Sequence, residues 1–245
     1  MKTLNTYINE WNINNQTVSS VELNELKYFC YEIDHEQLIQ IFSAPNWAES
    51  SKYIYKVYDE NNNPVELSFH GYTTKKYKPG IHKFYIKDIN KVSNCHWMFL
   101  RCEELISVPL FDTRNVTKFQ GMFNGCRFLK KVPLFDTRNA NDMSYMFQVC
   151  ESLKEIPKFN TSNAINMENM FYGCDGLTDM PLLDTRKAEN MAEMFRSCRN
   201  LKNVPLFDTS NAINMENMFE DCDNLNEKTK QQWKTVYDFF NNCKI

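Results

Sequence analysis

Glycine is scarce here, with six among 245 residues, and no stretch gathers them into a phosphate-cradling loop. Histidine is rarer still. The four, His35, His70, His82 and His96, are scattered, and none has a partner at metal-ligand or triad spacing. Neither an H-E-x-x-H pair nor a G-x-S-x-G elbow occurs. Cys30 and His35 are near in sequence, but a nucleophilic dyad also needs an ordered base and an oxyanion donor, and nothing points to either. The expectation is therefore a non-enzymatic protein with no catalytic residues, no metal ligands and no cofactor. Long hydrophobic runs are also missing: no window approaches the ~20 apolar residues of a membrane-spanning helix. The opening MKTLNTYINEWNINN has no apolar core of a secretory signal, which predicts a cytoplasmic location in the producing cell. A formal charge of −3 gives no general pull toward nucleic acid or a membrane surface.

What the chain has is repetition. INMENMFYGC (165–174) returns as INMENMF at 213–219, with looser copies ENMAEMFRSC (189–198), NDMSYMFQVC (141–150) and TKFQGMFNGC (117–126). Cys102, Cys126, Cys150, Cys174, Cys198 and Cys222 are each 24 residues apart. Pro109 through Pro205 and Leu105 through Leu225 keep the same period. Residue types with separate jobs holding one beat mean a repeat architecture, read here from about Asn94 to Leu225.

Within a copy, Met167, Met170, Phe171 and Cys174 lie at i, i+3, i+4 and i+7, the spacing of one face of a two-turn helix. Asp142, Asn166, Asn190 and Asn214 precede the first apolar position, where a side-chain oxygen can cap free N–H groups. Leu-x-x-Val follows the cysteine, as in Leu129 to Val132, and predicts a short strand ending near the next proline. Asp-Thr-Arg-Asn or Asp-Thr-Ser-Asn then supplies a turn. A strand, a turn and a helix in 24 residues can bury their apolar side only against the next copy.

The pattern D-T-S-N…N-M-x-x-M-F-x-G-C-x-x-L resembles the BspA-like leucine-rich repeat family over roughly residues 94–225. Cys95 and Phe119 replace the first Met, Asn160 replaces Asp, and Lys187 replaces the turn Asn. The resemblance implies an α/β solenoid, a right-handed leucine-rich-repeat-like coil of about six 24-residue units. It also implies a β-rich cap ahead of the first unit, and binding in general without a named ligand.

The periodic cysteines can be a disulfide ladder, a metal site or core packing. Helices packed ~8–10 Å apart would hold their Cα atoms beyond disulfide reach. Apart from Cys95 and Cys102 there is no close ligand pair. Nine cysteines, an odd number, also suit reduced thiols, so packing is the expectation. The Met pairs are likewise core. Asp112, Asp136, Asp184 and Asp208 would form a column; turn capping, with Arg114, Arg138 and Arg186 two residues on, is favoured over a calcium ladder.

Residues 226–245 are predicted to form a capping helix, with Trp233, Val236, Tyr237 and Phe240 on one face as a lid or, alternatively, a docking face. Residues 52–93 are predicted to be the β-rich cap, with a hairpin over YIYKVYDENNNPVELSF and a further strand at 81–89. Within residues 1–51, residues 21–42 read as a strand–helix pair. Residues 1–12 read as a short amphipathic helix carrying Leu4, Tyr7, Ile8 and Trp11. That helix either packs on the cap or serves as an address tag, since MKTLNTYINEW bears some likeness to targeting peptides of internal proteins of tailed-phage heads.

In leucine-rich repeats the two residues inside L-x-x-V face outward. Here they are Lys130, Lys131, Lys154, Glu155, Thr178, Asp179, Lys202 and Asn203, variable on a fixed framework. Arg114, Lys118, Arg127, Lys130, Lys131 and Arg138 make the early units positive, and Glu216, Glu220, Asp221 and Asp223 make the last one negative. Together these predict a protein-recognition scaffold with a protein partner, without nucleic acid or membrane. The second expectation is a structural part of a larger particle such as a phage virion, which would make it virion-associated. A surface adhesin fits the family resemblance but not the missing export signal.

Overall fold

The structure, a computed structural model, describes residues 28–43, 56–68, 70–87, 89 and 92–240. The amphipathic segment expected at residues 1–12 lies outside the described residues. Among these, the chain is mostly strand and turn, with one helix.

Five strands make an antiparallel, unclosed sheet in the order β3-β2-β4-β1-β5. They are β1 Phe29–Ile33, β2 Val57–Asp59, β3 Pro64–Val65, β4 Gly80–Ile86 and β5 Leu105–Ser107. The expected hairpin is β2–β3, and its turn is tied by Asp59, whose Oδ1 accepts from the N–H groups of Asn61 and Asn63 at 2.9 and 2.8 Å. β4 is the further strand expected at 81–89. Of the strand–helix pair expected over 21–42, residues 21–27 lie outside the described residues; beyond them β1 forms, and Asp34–Ser43 has bends and bridges instead of a helix. β1 slots between β4 and β5, so Phe29, Tyr31 and Ile33 join Phe84 and Ile86 on the buried face.

β5 belongs to the first repeat unit, and Ser107 bridges in parallel to Lys131 of the next. The cap sheet thus runs straight into the repeats. From there each unit lies beside the next at an offset of 24 residues, with bridges from Lys118 to Asp142, Asn166, Asn190 and Asn214 in succession.

The segment expected to be a helix in each unit is not one. Met167, Asn169, Phe171 and Gly173 donate their N–H groups to Asn190, Ala192, Met194 and Arg196 of the following unit at 2.8–2.9 Å. Met170, Tyr172 and Cys174 donate three residues back, to Met167, Asn169 and Phe171. Glu168 N–H goes to Asn166 Oδ1 at 3.1 Å, so the capping residue closes a side-chain turn instead. Every N–H from Met167 to Cys174 is used, half of them between units.

The geometry requires left-handed backbone at two places per unit: Tyr145 and Val149, Asn169 and Gly173, Glu193 and Ser197. A non-glycine residue costs ~1–2 kcal/mol there. Four inter-unit hydrogen bonds return about 1 kcal/mol net each. An isolated two-turn helix offers less, because it is too short to hold in water. The ladder wins, and it brings side chains of neighbouring units into register.

Those side chains form the core. Phe99, Phe123, Phe147, Phe171, Phe195 and Phe219 stack with centroids 5.4–5.7 Å apart and planes within 13°. Met and Cys columns run beside them, buried. Phe29 and Phe42 cover one end of the stack, at 5.3 and 5.8 Å from Phe99. At the other end is α1, Glu227–Phe240. Asn226 caps it by accepting from Thr229 N–H at 2.8 Å, and Trp233 sits edge-on to Phe219 and Phe207 at 5.2 and 5.6 Å. Of the face expected on this helix, Trp233 covers the last unit and Val236 packs partly buried against the core, while residues 241–245 lie outside the described residues.

Candidate recognition surface

Leu129, Leu153, Leu177 and Leu201 point into the core, as do Val132, Ile156, Met180 and Val204. The two residues between each pair face solvent. All eight outward residues expected from the sequence are exposed: Lys130, Lys131, Lys154, Glu155, Thr178, Asp179, Lys202 and Asn203. The 24-residue stacking sets Lys130, Lys154, Thr178 and Lys202 in one column and Lys131, Glu155, Asp179 and Asn203 in the next. Main-chain bonds fix the register where Lys130 N–H reaches Ile106 (3.0 Å), Lys202 N–H reaches Thr178 (2.8 Å) and Met180 N–H reaches Asn203 (3.0 Å).

The two halves of this surface differ. In the later half, Asp179 accepts from the Thr178 hydroxyl at 2.7 Å and from the Asn203 amide, and Asn203 in turn accepts from Asn226. The Thr178 hydroxyl, then the Asn203 amide, hold the Asp179 carboxyl below its usual pKa. These polar groups satisfy one another. In the earlier half, Lys130 pairs with Glu32 of β1 at 3.0 Å, both exposed, a contact worth under ~1 kcal/mol. Lys131 and Lys154 have no ion pair among the described residues. Phe128, just before Leu129, is 52 % exposed.

The charge gradient expected along the repeats is partly cancelled locally. Arg114 and Arg138 fold back on Asp112 and Asp136, Arg127 reaches Glu151 at 3.5 Å, and Glu220 holds Arg196 at 3.1 Å. The aspartate column does what turn chemistry demands: each Oδ1 accepts the N–H two residues on, at Arg114, Arg138, Arg186 and Ser210.

Sequence reasoning missed Phe128 and Glu32. Phe128 was detectable, since Ser152, Gly176, Asn200 and Asn224 hold its place in the other units. Glu32 was not, because its position depends on where β1 pairs.

The model of one family matches the chain three times in overlapping stretches, residues 66–181, 93–204 and 178–241. Its description is "Mycoplasma protein of unknown function, DUF285". The chain belongs to the DUF285 family. Overlapping matches are what a repeated unit produces, and DUF285 is a repeat-like family related to BspA-type repeats. No curated protein and no solved structure matches this DUF285 chain.

Proposed function

We propose that this DUF285 chain is a non-enzymatic protein-recognition scaffold of the BspA-like leucine-rich-repeat type, its units wound as a right-handed solenoid. Support comes from the contrast between framework and surface: residues that repeat are buried, while residues that vary are exposed in two aligned columns. A partner docks on the early half, around Phe128, Lys131 and Lys154, where charge is free and an aromatic ring is open. At interfaces a few anchors, aromatic rings prominent among them, carry most of the cost of truncation once the partner buries them.

The test is affinity capture from an extract of the producing cells with the intact protein, repeated with Lys130→Glu plus Lys154→Glu. Recovery of the wild-type partner should fall at least tenfold. Undiminished recovery would sink the strand-face reading.

A further inference from the structure

The third unit departs from the repeat at one place. Lys158 stands where the other units carry Leu110, Leu134, Leu182 and Leu206, and Asn160 stands where they carry aspartate. Ser162 stands where Arg114, Arg138 and Arg186 stand elsewhere. Those arginines fence this side of the repeats, each turned onto its own aspartate at 2.6–2.9 Å. At the third unit the fence is open, since Ser162 Oγ donates only to Asn160 Oδ1 at 2.7 Å.

A cavity of about 740 Å³ lies there, lined among others by Lys158, Asn160, Ser162, Leu182, Leu206 and Asp208. Leu182 and Leu206 are 54 % and 47 % exposed, side by side. The floor is held by buried threonines: Thr161 Oγ1 donates to the Asp184 carbonyl at 2.9 Å and Thr185 Oγ1 to that of Asp208 at 2.6 Å. Lys158 and Asp208 have no ion pair among the described residues, and Ser210 stands where an arginine would have closed on Asp208. Units spaced like paired strands, ~4.8 Å apart, put these opposite charges, two units apart, roughly 10–12 Å from each other, with Leu182 and the Asp184–Arg186 pair of the intervening unit between them.

We infer that this groove docks an extended segment of a partner protein, its apolar side chains on Leu182 and Leu206, an acidic residue on Lys158 and a basic one on Asp208. A framework that keeps leucine and aspartate in every other unit and breaks both where one cavity opens, with serine for arginine at Ser162 and again at Ser210 on its far side, marks a functional site. A purely apolar occupant would leave Lys158 without a counter-charge, and Asp208 with only the Ser210 N–H and the field of Arg186, which is itself turned onto Asp184. The groove is formed by different residues from the Lys130 and Lys154 surface, so each stands without the other.

The test uses methyl NMR of the full chain, following Leu182 and Leu206, with capped pentapeptide pools whose three central positions mix Leu, Val and Phe. One pool has Glu and Lys at its ends, and two controls have Glu at both ends or Lys at both ends. The mixed-charge pool should shift both methyl signals and bind at least tenfold tighter than either control. Lys158→Leu with Asn160→Asp and Ser162→Arg restores the usual stretch, so it should keep or raise Tm while abolishing the shifts. Lys130→Glu with Lys154→Glu should leave them intact. Equal binding of the three pools, no shift at millimolar peptide, or shifts surviving the restored stretch would overturn the inference.

Discussion

The thiol of Cys174 donates to the main-chain carbonyl of Phe147 at 3.0 Å, across the joint between one unit and the unit before it. Cys126, Cys150, Cys198 and Cys222 do the same with Phe99, Phe123, Phe171 and Phe195 at 2.9–3.2 Å. The strict cysteine period is thus a ladder of weak donors where the core is narrow. The thiols are free, although the reason differs from the one expected. Units spaced ~4.8 Å apart, as strands are, bring Cα atoms within disulfide range. The sulfurs stay apart because each is aimed at a carbonyl of the preceding unit.

Alkali should unfold the protein steeply. Burial pushes the thiols of Cys95, Cys102, Cys126, Cys150, Cys174 and Cys198 far up, and that of Cys222 to about 12. In the unfolded chain they ionise near 8.5, so above that pH the native state holds more protons and loses stability as pH rises. Each thiol then costs about 1.4 kcal/mol per pH unit. Seven together approach the whole stability of a typical domain, about 5–15 kcal/mol, within one unit. Circular dichroism should show cooperative unfolding with a midpoint below about pH 10. A fold intact at pH 11 would refute the buried ladder.

Cys174→Ala should destabilise by about 1–3 kcal/mol in urea titration, combining a lost donor with a small cavity. Cys174→Ser keeps a donor and should be less costly.

Gly121→Ala should be among the most damaging single changes. Its φ is +59°, and a Cβ there would lie 1.9 Å from ring atoms of Trp97. Tyr145, 6.0 Å beyond, limits where that ring can go. The measurement is Tm together with tryptophan emission, with both expected to move.

Val149→Gly should stabilise. A β-branched residue at φ +59° is strained, and glycine takes that conformation freely, as Gly173 does in the next unit. The expected gain is about 1 kcal/mol by chemical denaturation. A loss of similar size would show that Val149 earns its place by packing.

Trp233→Ala should uncover the last unit. Trp233 is 1 % exposed, and its indole N–H donates to the Val204 carbonyl at 3.4 Å. Truncating a buried tryptophan costs about 3–5 kcal/mol. Because repeats lean mainly on their neighbours, hydrogen exchange should rise most in residues 201–225 and least in residues 117–150.

The period, the core and the two caps were legible because burial depends on spacing, and Met167, Met170, Phe171 and Cys174 keep their spacing in any local fold. The backbone was not. Two successive turns closing over three residues place apolar side chains at nearly the same intervals as two helical turns. The clue was Gly121, Gly125 and Gly173, which would each cost a helix about 1 kcal/mol but suit a left-handed position. The outward columns were legible as the variable places in a fixed frame. The groove was not, since Lys158 and Asp208 come to line one cavity only when the units are laid side by side.

Through-hydrogen-bond scalar coupling in a ¹⁵N,¹³C-labelled sample tests the stacking of units most directly. The Phe171 amide nitrogen should couple to the carbonyl carbon of Met194 in the following unit, as its 2.9 Å bond requires. Coupling of that nitrogen to Met167 instead, four residues back within its own unit, would mean a helix and would contradict the inter-unit ladder.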